Sequence, residues 1–63
     1  MINKRILHEA MTFVLTRPAK SRGGDRYEHG GKGDRDFMTI YIPQSMSRRD
    51  GEIKKEITVT FET

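Results

Sequence analysis

Three stretches of this chain alternate apolar and polar residues with a period of two. That period belongs to strands rather than helices, and it constrains the architecture more than any other feature. In 10–17, Met11, Phe13 and Leu15 fall on one side and Thr12, Val14 and Thr16 on the other. In 37–42, Met38, Ile40 and Ile42 oppose Phe37, Thr39 and Tyr41. In 56–61, Ile57, Val59 and Phe61 oppose Glu56, Thr58 and Thr60. β-Branched and aromatic side chains dominate all three, as a pleated surface prefers. Pro18 and Pro43 close the first two stretches, since proline cannot donate to a ladder. Asp50-Gly51 is a turn signal on the way to the third. Ahead of the first strand, Asn3 could cap a short helix, or the strand could begin near Arg5; the extended reading is preferred.

The predicted fold is therefore mainly β: a small antiparallel sheet of three strands or slightly more, forming a single domain over residues 1–63. One face carries Met11, Phe13, Leu15, Met38, Ile40, Ile42, Ile57, Val59 and Phe61. An open sheet needs a second layer over such a face, and no other segment is apolar enough to supply it. A core this small stabilises by only ~3–5 kcal/mol, so small domains usually carry a staple. The chain has no cysteine, which rules out disulfides. Completion by further copies is expected, as a homodimer or higher homo-oligomer.

Residues 19–36 are rich in glycine and charge and have no apolar period, so they are expected to form one long flexible loop. Arg17, Lys20, Arg22, Arg26, Lys32 and Arg35 lie in or beside it, diluted by Asp25, Glu28, Asp34 and Asp36, so this stretch carries two of the chain's three net positive charges. Arginine forks onto phosphate and stacks on bases, and glycine lets a backbone approach closely. The loop also holds an Arg22-Gly23-Gly24 step and one aromatic ring, Tyr27. Phe37, Thr39 and Tyr41 project from the polar face of the second strand. Aromatic rings among hydroxyls and basic loops make a stacking platform for unpaired bases.

Catalytic chemistry finds little support. Asp25, Glu28 and His29 bring two carboxylates and one imidazole together at no recognised ligand spacing, so no metal or other cofactor is expected. Gly30-Gly31-Lys32-Gly33 superficially looks like a phosphate loop. However, Arg26 stands where that motif needs its first glycine and Gly33 where it needs a hydroxyl. Ser21, Ser45 and Ser47 have no base at a useful spacing. The chain is thus expected to be a non-enzymatic nucleic-acid-binding protein. Single-stranded DNA or RNA with little sequence preference is favoured, held by Arg17, Lys20, Arg22, Arg26, Tyr27, Lys32, Arg35, Phe37, Thr39 and Tyr41. A β-ribbon that enters duplex DNA is one alternative. A protein-interaction module or inhibitor that pairs through a strand edge is another. No long apolar run follows the basic stretch Lys4-Arg5, so neither a signal segment nor a membrane helix is expected, and a soluble, cytoplasmic protein is anticipated.

Overall fold

The computed structural model describes residues 8–62. Its elements are β1 (His8–Arg17), β2 (Asp25–His29), β3 (Met38–Ile42), a single helical turn α1 (Gln44–Ser47) and β4 (Glu56–Glu62). They form one curled antiparallel sheet, a half-barrel in the order β3-β2-β1-β4. The expected mainly-β class and all three expected strands are present. The two readings of residues 1–7 lie outside the described residues. Among the described residues, no helix is long and apolar enough to cross a membrane.

One expectation needs correcting. The stretch 19–36 is not a single loop, because Asp25–His29 pairs on both sides as β2, in the middle of the sheet. Its alternation was hidden because two of its three inward positions are polar. Asp25, Tyr27 and His29 face inward, opposite Ile42, Ile40 and Met38 of β3. A buried charge at an inward position defeats a hydrophobic pattern, and it survives there only when paired.

The expected apolar face is assembled as foreseen. Cross-strand pairs place Met11 with Val59, Phe13 with Ile57, Leu15 with Tyr27 and Tyr27 with Ile40, all on the inner side. Yet among the described residues only Phe13 and Tyr27 are buried apolar side chains; most of the others on this face are half-buried, and Phe61 is 37% exposed. Residues 43–55 provide a partial cover. They must pass from the β3 edge to the β4 edge, and they cross the sheet at the Tyr27 end. Tyr27 Oη donates to Lys54 O at 2.6 Å, Lys54 N–H donates to Ser47 O at 3.0 Å, and Leu15 N–H donates to Lys55 O at 2.8 Å. Tyr27→Phe removes the first of these bonds while keeping the ring. It is expected to cost about 1 kcal/mol, seen as a lower urea midpoint at unchanged slope.

Candidate nucleic-acid interface

The surface around Tyr41 is built from pieces distant in sequence: the end of β1, loop 18–24, β3 and α1. Gly23 takes φ +104°, a conformation in which a side chain would be strained. The chain then runs so close to β3 that a Cβ on Gly24 would lie 3.0 Å from Tyr41 Cβ and 3.1 Å from both Ile42 N and Ile42 O. Gln44, the first residue of α1, clamps the outside of this corner. Its Nε2 donates to Ser21 O at 2.7 Å and to Gly23 O at 3.0 Å. The Arg22-Gly23-Gly24 step is therefore a constructed corner. Gly24→Ala is expected to push loop 18–24 off β3, at a cost of ~1–3 kcal/mol. A thermal melt would read the loss, and amide chemical shifts at Tyr41 and Ile42 would move with it.

The inner side of the same loop is tied to Asp25, which is fully buried. Asp25 Oδ1 accepts from Ala19 N–H and from Arg48 Nη2, each at 2.7 Å. Its Oδ2 accepts from Ser47 Oγ at 2.5 Å and from Arg48 Nε at 3.1 Å. Arg48 Nη2 also donates to Ala19 O at 3.2 Å. The guanidinium beside it holds the Asp25 carboxyl far below the usual carboxylate range, outweighing the opposing effect of burial, with the Ser47 and Ala19 bonds adding to the depression. Burial, and then the Asp25 charge, push the Tyr27 phenol up. Every lone pair that matters on Asp25 is taken by the fold, so this cluster positions the loop and offers nothing to a ligand.

On this base Tyr41 stands out, 65% exposed, on the outer face of β3 opposite Arg26. A cleft lies on either side of it. One, of about 580 Å³, is lined by Gly23, Gly24, Pro43, Gln44 and Ser45. The other, of about 390 Å³, is lined by Arg17, Lys20, Arg22 and Arg26. Ser21, Arg22, Gly24 and Tyr41 belong to both. Arg26 is partly engaged, since its Nε donates to Thr16 Oγ1 at 3.1 Å and lies 3.5 Å from Glu28 Oε2. Arg17, Lys20 and Arg22 form no ion pair among the described residues. Such a surface can offer a ring face to a planar group and several donors to an anion close beside it.

The ten residues expected at the site thus divide. Arg17, Lys20, Arg22, Arg26 and Tyr41 come together, and Thr39 shares the exposed outer face of β3 two residues from Tyr41. Tyr27 does not belong, because its ring is buried in the centre of the sheet and its hydroxyl is bonded. Phe37 is also displaced. It precedes β3, so the strand alternation does not reach it, and it borders a different cleft with Met11, His29 and Met38. Lys32 and Arg35 sit on the β2–β3 loop at the far end of β2, roughly 14 Å away along a five-residue strand. The Asp25, Glu28 and His29 group is divided by the strand itself. Glu28 faces outward, and among the described residues no three His, Cys, Asp or Glu side chains gather in a ligand set. Sequence reasoning missed Pro43, Gln44 and Ser45. Pro43 was read only as a strand end, although a proline followed by four residues without β-branching is also how a helical turn begins.

The chain matches no known protein-family model, no curated protein and no solved structure.

Proposed function

We propose that this protein is a non-enzymatic binder of single-stranded nucleic acid. The observation that carries the reading is one exposed ring, Tyr41, rising beside a cleft lined by Arg17, Lys20, Arg22 and Arg26. An unpaired base stacks on the phenol from the side of Pro43 and Gly23, while the phosphates that flank it meet the cations on the other side. Stacking on a ring face is tolerant of sequence, and contacts to phosphate carry no sequence information, so little base preference is expected. DNA and RNA share both features. The cysteine-free composition suits an intracellular setting.

Duplex binding through a β-ribbon is the weaker reading. The part of β1 and β4 that projects beyond the other strands carries Glu9 and Glu62 and no lysine or arginine among its described residues. A ribbon that enters a groove must instead neutralise phosphates.

Anisotropy titrations of labelled single-stranded and duplex oligonucleotides of equal length test the proposal. Single strands are expected to bind markedly tighter. With three to four phosphates neutralised, the logarithm of the association constant should fall with the logarithm of salt at a slope of roughly −2 to −3. Equal or tighter binding to duplex, or no binding to either at low salt, would sink the reading.

A further inference from the structure

Strand β1 is longer than its neighbour on one side. Its pairing with β4 runs from Val14 to His8, but its pairing with β2 stops at Val14, and β2 itself ends at His29. Among the described residues, His8 to Thr12 are therefore paired on the β4 side alone. In an antiparallel ladder the N–H and C=O of one residue point to the same neighbour, and successive residues alternate. Leu15 N–H donates toward β4, to Lys55 O. Odd-numbered residues of β1 thus serve β4, and the backbone groups of His8, Ala10 and Thr12 face the vacant side. His29 partly finishes that line. Its Nδ1 meets Thr12 O at 2.7 Å and donates, since a carbonyl only accepts. Beyond it lies a cleft of about 550 Å³ bordered by Ala10, Met11, Phe37 and Met38. The apolar side chains of this arm, Met11, Val59 and Phe61, belong to the half of the inner face that residues 43–55 leave uncovered.

We infer that this vacant edge is a homodimer interface, in which residues 8–12 of two copies pair antiparallel about a two-fold axis at Ala10. The register follows by exclusion. Centred on Ala10, His8 meets Thr12 of the second copy and Glu9 meets Met11, so no like charges are opposed and the small Ala10 side chains lie on the axis. Centred on Glu9, two carboxylates face each other, which destabilises a strand pair. The Ala10 register stops at Thr12, whose C=O keeps a second lone pair besides the one that His29 uses, whereas a register centred on Met11 runs on to Phe13, further into the flank where His29 sits. On the β4 edge, self-pairing about Val59 would set Glu56 against Glu62 at both ends. A second copy is the occupant that fits, since the edge is complementary to itself. It also brings Met11 and Phe61 of both copies to one continuous inner face, where only two apolar side chains are buried among the described residues. The inference does not depend on the nucleic-acid reading, and its test uses no ligand.

The chain has no cysteine, so one introduced thiol reports on its own environment. Paired Cα atoms across such a ladder lie about 5.5 Å apart, within the range a disulfide spans. Under mild oxidant, Ala10→Cys is expected to convert to a covalent species of twice the 7.3 kDa chain mass. Thr60→Cys, on the outer face of β4 opposite Ala10, is expected to remain a single chain. Wild-type protein should sediment at the doubled mass. Ala10→Pro removes an N–H that points away from β4, and it should weaken self-association by at least about tenfold. The inference is overturned if the wild type sediments as a single chain at high micromolar concentration. It is equally overturned if a dimer forms but Ala10→Cys cross-links no faster than Thr60→Cys.

Discussion

Asp25→Ala is expected to leave the protein at best marginally stable at room temperature. Asp25 is the point at which β2, loop 18–24 and α1 meet, and its carboxylate accepts from Ala19, Ser47 and Arg48. Removing it strands four donors, two of them on the half-buried Arg48 guanidinium. Breaking one partner of a buried pair costs ~3–5 kcal/mol, and the Arg48 head keeps some access to water, so the low end of that range applies. A domain of this size commands only ~3–5 kcal/mol in total, so the variant has little left. Urea melts followed by circular dichroism would show this as a missing or much lower transition. A well-folded Asp25→Ala protein would mean that the cluster is ornamental. The acid limb gives a second reading. The folded-state pKa of Asp25 is depressed, so its stabilisation is complete above the unfolded carboxyl pKa of about 3.9 and is lost as pH falls below that toward the folded value. Wild type should therefore hold its melting temperature with respect to this group down to about pH 4 and decline below it. Asp25→Asn should start lower at neutral pH and decline less over the same acid range.

Tyr41→Ala is expected to weaken single-strand binding by about 5- to 150-fold, corresponding to ~1–3 kcal/mol for one stacked base. The fold should be unaffected, because Tyr41 is 65% exposed and packs little. Tyr41→Phe keeps the ring face and should bind nearly as well as wild type. The contrast with charge variants is diagnostic. Arg22→Gln should reduce the magnitude of the salt slope by about 0.7, the loss of one phosphate contact on a single strand. Tyr41→Ala should leave that slope alone. If Tyr41→Ala binds like wild type, the ring is no platform, and the basic cleft would then act alone. A loss of the thermal transition in Tyr41→Ala would instead assign the ring to packing.

Much of the sheet was legible in the alternation, and the reason is physical. Met11, Phe13, Leu15, Ile40, Ile57 and Val59 are placed on one face by a repeat that strands impose. β2 was not legible, because its inward residues are Asp25, Tyr27 and His29, and they are held there by bonding to particular partners rather than by hydrophobicity. Those partners, Arg48, Ser47, Lys54 and Thr12, come from other parts of the chain. No local pattern carries that information. The same blindness misplaced Tyr27, whose ring looked like a loop aromatic and is a centre of the core. Phe37 failed differently: it was assigned to a face by extending the β3 alternation one residue too far. Of the six basic residues that charge density singles out, Arg17, Lys20, Arg22 and Arg26 line one cleft. What positions them, a Gly23-Gly24 corner clamped by Gln44, depends on a close approach between loop and strand.

The strand order has a consequence for how the molecule assembles in time. β1 pairs with β2, and β2 with β3, through short connections, whereas the other partner of β1, β4, follows all of them in sequence, with His8 set against Glu62. Contacts between distant segments carry a large loop-closure entropy and slow the search for the native state. A β1-β2-β3 meander can gather early, during synthesis, but the Phe13 side of its inner face has no β4 wall until the final strand emerges. Closure by β4 is therefore expected to set the folding speed, and substitutions there should change the rate of forming the native sheet more than equal destabilisation in the β2–β3 hairpin. A pair of refolding traces, one for Val59→Ala and one for Ile40→Ala, would distinguish late closure by β4 from a search limited by the hairpin.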